Sequence, residues 1–371
     1  MADLQKNRLK VTFFKALLKV ANWMALLPNR LTPPPFRLIQ IGSAFWLSRA
    51  LYVVTKLGLA DALGDDEKST TELALSLELY EDHLYRLMRM LAANGVFVET
   101  GHRIFRNSAM SDYLRIAHPK NVRAMILMHN DPAMTAPWVD SLEACIRSGE
   151  TPFVKSSGVG LYQYMDNNKV FDLLFSQAMD SVEALTGSAY LSDFNWSRFD
   201  RLIDVGGSHG SKAVAVLREN PHLRALVFDR PQVIDNAKLA WRNHSEQAVL
   251  ERMEFVGGDM FDAIPPAVSD RDIYMFVGVF HGLSDEEAQT LLGKVKQAVG
   301  GKKATLLVVD AIAAEHHLDP AIAGFDMQML IGTKGRERTL DEWRSLFANA
   351  CLRIGQVIEV RTFASFIVVG L

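Results

Sequence analysis

From about residue 198 the chain alternates short apolar runs with segments of helix length, and no other feature constrains its fold so strongly. Residues 201–205, 226–229, 253–256, 273–276 and 305–309 each read as a short buried strand, and 363–369 forms a last apolar run. Strands alternating with helices imply an α/β, Rossmann-like domain built on a parallel, doubly wound sheet. Such a sheet places its ligand at the carboxyl ends of its strands.

The residues at those strand ends carry the chemistry. Asp204-Val205-Gly206-Gly207-Ser208-His209-Gly210 follows the first strand, so Gly206, Gly207 and Gly210 allow a tight turn and close backbone approach to a ligand. The spacing is not the G-x-G-x-x-G of a dinucleotide site. Asp229 ends the second strand, placed to accept hydrogen bonds from two ribose hydroxyls. In Gly257-Gly258-Asp259-Met260-Phe261, Asp259 is placed to accept from an adenine amino group, with Met260 against the ring. One such acid is usually a cap; three at successive strand ends favour an adenosine ligand without a pyrophosphate. His281 ends the fourth strand beside this pocket, and Ser284 with Glu287 marks the cap of the next helix.

The 371 residues suffice for two cores. We divide them into a basic amphipathic arm (1–35), a mainly helical domain (36–190) and the α/β domain (191–371). In the helical domain, 45–63 is apolar at helical spacing, Ser69 to Glu72 is a helix start, 81–94 is a second helix, and 95–105 is a hairpin around a glycine turn. That order is a winged-helix arrangement. The candidate recognition helix offsets Arg86 and Arg89 with Glu81 and Asp82, and the net charge of the chain is −3. Protein packing is therefore expected there, and no nucleic acid. No apolar run is expected to reach membrane-spanning length, no residue is assigned to a metal, and Cys145 and Cys351 read as buried thiols of a cytoplasmic protein. The arm holds six Lys and Arg against Asp3, interleaved with apolar residues at helical spacing, and Pro33-Pro34-Pro35 ends it. It fits a helix packed on the enzyme or a partner subunit, or a peripheral helix on an anionic membrane.

Taken together, these motifs resemble the caffeic-acid-type family of class I O-methyltransferases across residues 36 to 371. The likeness rests on the DVGG loop, Asp229, residues 257–261, His281 with Ser284 to Glu287, and residues 335–339. It implies S-adenosyl-L-methionine as cofactor, a small aromatic hydroxylated substrate, and a homodimer joined through the N-terminal domain. It further implies that His281 is the general base and that Asp310 and Glu337 hold its ring. Phe175, Met179 and Met329 would wall a flat substrate, with His129 and Asn130 on the deeper side. Three positions depart from the family: Ser208 replaces a loop glycine, Gly282-Leu283 replaces an Asp-Trp pair, and Val277 stands where lysine is common. Two other readings stay open. One is a fold relative performing decarboxylation or hydroxylation on a polyketide-like substrate; the other is a non-enzymatic winged-helix regulator.

Overall fold

The structure is a computed structural model that describes residues 3–242 and 246–371. The chain divides into two units. One comprises residues 1–19 and 188–371, and the other comprises 20–187.

The larger unit is built on a seven-stranded sheet: β1 (Arg201–Val205), β2 (Arg224–Asp229), β3 (Met253–Gly257), β4 (Asp272–Val277), β5 (Thr305–Asp310), β6 (Ile354–Glu359) and β7 (Ser365–Gly370). Their spatial order is β3-β2-β1-β4-β5-β7-β6. The first five run parallel, and β7 is antiparallel to both β5 and β6. Sequence reading missed β6, whose residues alternate only weakly and whose burial is partial. The central strands are apolar throughout because both faces are covered. Ile203, Tyr274 and Phe276 join one core with Leu291, Leu292 and Trp343. Leu202, Ile273 and Met275 join the other with Trp196 and Leu217. The strand order reverses beside β1, whose carboxyl end lies between those of β2 and β4, which puts the ligand crevice there.

The extreme N-terminus is part of this unit. Leu4 is buried, Gln5 bridges to Phe194, and the Lys6 and Asn195 amides bond to the Asp193 and Leu4 carbonyls at 2.6 and 2.8 Å. Helix α1 (Arg8–Leu31) follows, then α2 (Pro34–Leu57). By length and composition both are long and apolar enough to cross a bilayer. This corrects the sequence expectation that no apolar run reaches membrane-spanning length; the helix runs unbroken through Lys15 and Lys19.

In the smaller unit, α2 ends at Gly58 and Leu59–Leu63 forms a separate short helix. The expected capping box is present: the Ser69 amide bonds to Glu72 Oε2, and the Glu72 amide to Ser69 Oγ. The helix Glu81–Ala92 packs Leu84, Met88 and Leu91 against Phe97 and Phe105 of the hairpin. Arg103 of the hairpin bonds to Glu81 and Asp82, so charge at that helix start is matched internally. Of the two cysteines Cys145 is buried, but Cys351 is exposed, in a left-handed turn after the helix Leu340–Asn349.

Candidate active site

The first functional loop is shaped by its backbone. Gly206, at φ +73°, donates its amide to the Phe228 carbonyl at 2.8 Å, and a Cβ there would meet the Val279 side chain at 2.8 Å. Only glycine suits that turn. Ser208 holds a positive φ of 51° without being glycine, and its amide donates to Asp229 Oδ2 at 2.8 Å. The second Asp229 oxygen accepts from the Arg230 amide at 2.7 Å. Burial pushes the Asp229 carboxyl above its ordinary value, against the pull of those two amides.

Gly210 caps the helix Ser211–Glu219, and Asp204 is buried behind the loop. After β3, Gly258 leaves a gap beside the Phe228 ring, which a Cβ would enter at 2.7 Å. Asp259 is exposed and accepts the Phe261 amide at 2.8 Å, and Met260 packs on the core. A glycine-lined cradle with a carboxylate at the second strand end fits a neutral, hydroxyl-rich ligand such as an adenosine.

His281 stands in the 3-10 turn Phe280–Gly282 after β4. Its Nδ1 lies 2.8 Å from Glu337 Oε1. Burial disfavours the imidazolium, but the Glu337 bond and the charges of Asp310 and Glu337 outweigh it, so the ring's affinity for a proton is raised. Asp310, the last residue of β5, is buried. No hydrogen bond joins its carboxylate to the ring, its Oδ2 has no hydrogen-bond partner, and its charge raises the ring's affinity for a proton. Of the two acids Glu337 bonds to the imidazole, and Asp310 acts on it through its charge. Burial pushes Asp310 up to about 7, with the Glu337 charge adding to the shift and His281 opposing it.

Three groups that sequence reading left unassigned hold this pair. Asp326 Oδ1 accepts the Glu337 amide at 2.9 Å. Arg338, 1% exposed, donates to the Phe280 and Leu283 carbonyls at 2.7 and 2.8 Å and to Asp285. Gly335 presses so closely on the turn that a Cβ would sit 1.9 Å from the His281 carbonyl oxygen. The signal for Arg338 was a cation within residues 335–339; Asp326 gave none. Leu283, in place of the family's aromatic, is buried in the core beside Phe280.

The expected substrate wall is divided between the units. Met329 lies half-buried on the helix Pro320–Gly332 of the larger unit. In the smaller unit, the helix Lys169–Thr186 carries half-buried Phe175, packed on Phe171, and Met179, which is 37% exposed. His129 is exposed at a helix end. Asn130 uses both ends of its amide as a tie: Oδ1 accepts from Arg49 at 3.2 Å and Nδ2 donates to Ser48 at 3.2 Å. Among the described residues, no group of three or more His, Cys, Asp or Glu side chains is arranged to hold a metal ion.

Residues 138–353 match the O-methyltransferase domain, and residues 39–115 match the O-methyltransferase dimerisation domain. The chain is 30% identical to the phenazine O-methyltransferase PhzM of Lysobacter antibioticus, over 89% of this chain and 94% of that one. It is also 30% identical to the 8-amino-8-demethylriboflavin N,N-dimethyltransferase of Streptomyces davaonensis, over 85% of this chain and 89% of that one. The crystal structure of LaPhzM superposes with a TM-score of 0.84 at 28% identity, covering 91% of this chain and 99% of the other.

Proposed function

The chain belongs to the O-methyltransferase family of S-adenosylmethionine-dependent enzymes, and from that membership we propose that it methylates a hydroxyl of a small aromatic substrate with His281 as general base. The observation that carries this reading is the 2.8 Å bond between His281 Nδ1 and Glu337. A carboxylate on Nδ1 fixes the tautomer, so Nε2 presents its lone pair.

Bound S-adenosylmethionine supplies an electrophilic methyl group on a sulfonium sulfur. The residues that would hold it are the 204–210 loop, Asp229 as acceptor for ribose hydroxyls, and Gly258, Asp259 and Met260 around the base. The chain's own task is proton handling. A phenol with a pKa near ~10 is mostly neutral at pH 7, and a positioned base is worth roughly 10²–10⁴-fold. Nε2 takes the hydroxyl proton, the imidazolium is stabilised by Glu337 and by the charge of Asp310, and the acceptor oxygen is left nucleophilic. Phe175, Met179, His129, Asn130 and Met329 form the proposed substrate-contacting set, with the tie made by Asn130 limiting it to a backing role. The dimerisation domain supports a homodimer.

Similarity to both O- and N-methyltransferases leaves the acceptor atom to be argued from the base. An aromatic amine attacks through its lone pair without prior deprotonation, whereas a phenol gains from a held imidazole, which favours oxygen. The test is His281→Ala assayed against a panel of phenolic and aminoaromatic acceptors with labelled cofactor. Turnover on phenols should fall by roughly 10²-fold or more while cofactor affinity is kept. Undiminished phenol turnover, or activity confined to the amines, would refute the proposal.

A further inference from the structure

Helix α1 carries a surface that the reaction does not use. Leu9, Phe13, Leu17, Val20, Met24 and Leu27 recur every three or four residues, so they line one face of the helix. Each is at least 38% exposed. In the first half of the helix the opposite face is occupied: Val11 is 1% exposed, and Lys15 Nζ donates to the Thr362 carbonyl at 2.9 Å. At 100° per residue, Lys10 borders the apolar stripe on one side, and Lys19 and Arg30 border it on the other.

Charge decides what this face suits. No acidic residue occurs between Asp3 and Asp61, while nine Lys and Arg do, in a chain whose net charge is −3. The dimerisation domain begins at residue 39, beyond α1. Two α1 stripes facing each other would set cation against cation, whereas an anionic bilayer surface complements both the apolar stripe and its basic borders. Because Val11 and Lys15 hold the other face of its first half on the protein, the helix would lie along such a surface and not cross it. We propose that α1 is a peripheral attachment helix for an anionic lipid surface.

The test is co-sedimentation of the full-length protein with vesicles of phosphatidylcholine alone and of phosphatidylcholine mixed with phosphatidylglycerol, at low and high salt. Binding should require the anionic lipid and weaken with salt. Lys10→Gln, Lys19→Gln and Arg30→Gln should each weaken partitioning by about fivefold. Leu17→Glu should abolish it, with circular dichroism and cofactor affinity checking the fold; if that variant fails to fold, the three exposed charge variants decide. Equal pelleting of wild type and the triple charge variant would overturn the proposal. So would a wild type that ignores vesicles while Leu17→Glu converts dimer to monomer in light scattering, which would make α1 a subunit interface.

Discussion

Nδ1 of His281 and Oε1 of Glu337 meet at 2.8 Å although 56 positions separate them in the chain. Neither side chain owes its place to a helix or strand interior. His281 sits in a 3-10 turn after β4, and Glu337 lies in the loop ahead of the helix Leu340–Asn349. The pair is held by what surrounds it: Asp326 on the Glu337 amide, and Arg338 on the carbonyls on either side of His281. Such a supporting shell is what keeps a base in register with its target.

Glu337→Gln removes the charge that raises the proton affinity of His281 while keeping a side chain of the same shape. A base works in its neutral form, so wild-type kcat/KM should rise with pH through a value above the ordinary 6.5 of histidine. In the variant that acid limb should move to lower pH, and the plateau should drop by about 10²-fold or more, since the tautomer is no longer fixed. A pH–rate profile with the limb unmoved would mean that Glu337 does not stabilise the imidazolium.

Asp310→Asn should stabilise the protein at neutral pH. Burial raises the folded-state pKa of Asp310 from 3.8 to about 7. Between those values the folded state binds more protons than the unfolded state, so this group's contribution to stability declines as pH rises through the window. Above it the ionised, buried carboxylate is a standing cost, of order a few kcal/mol. Urea denaturation at pH 5 and pH 8 should show the variant gaining on wild type at the higher pH. A gain independent of pH would assign the effect to packing. Activity should fall, because the same charge supports the imidazolium.

Most of the sheet was legible because parallel strands covered on both faces must be apolar from end to end, as Ile203, Tyr274 and Phe276 are on one side and Leu202, Ile273 and Met275 on the other. β6 was not, since a half-covered edge strand such as Ile354–Glu359 needs no such run. The residues at strand ends were legible for a similar reason: topology dictates where a ligand must lie. What stayed hidden was set by contacts across the chain. Nothing in the local sequence shows that Asp326 will bond to the Glu337 amide, or that Asp310 will be buried with an unpartnered Oδ2. Likewise, Lys15 reads as one more basic residue of an amphipathic arm until its bond to Thr362 shows which face of α1 is covered there.

Gly335→Ala tests how tightly the second loop is pressed on the first. A Cβ at 335 would fall 1.9 Å from the His281 carbonyl oxygen and 2.5 Å from the Gly282 carbonyl carbon. Both neighbours are backbone, so the loop must withdraw and carry Glu337 with it. The expected result is a loss of about 1–3 kcal/mol in stability together with a fall in kcat. A variant with wild-type melting and turnover would mean that the two loops are not in close contact in solution.

Gly278→Ala bears on the side of the imidazole that Glu337 leaves free. Gly278 has φ +63°, and a Cβ there would lie 3.6 Å from His281 Nε2, in van der Waals contact with the atom proposed to receive the proton. Two effects follow from one methyl group. The left-handed backbone costs roughly 1–2 kcal/mol for any side chain, and the methyl narrows the approach to Nε2. Strain alone should lower the melting temperature and affect all acceptors alike. Narrowing should raise KM and lower kcat/KM more steeply as the group beside the acceptor hydroxyl grows. Gly300→Ala separates the two, since Gly300 has φ +58° at the end of the helix Asp285–Val299 with no side chain within 4 Å of its would-be Cβ. Comparable melting losses in both variants, with acceptor-size dependence only at 278, would make Gly278 the residue that sets how bulky a hydroxyl can reach the base.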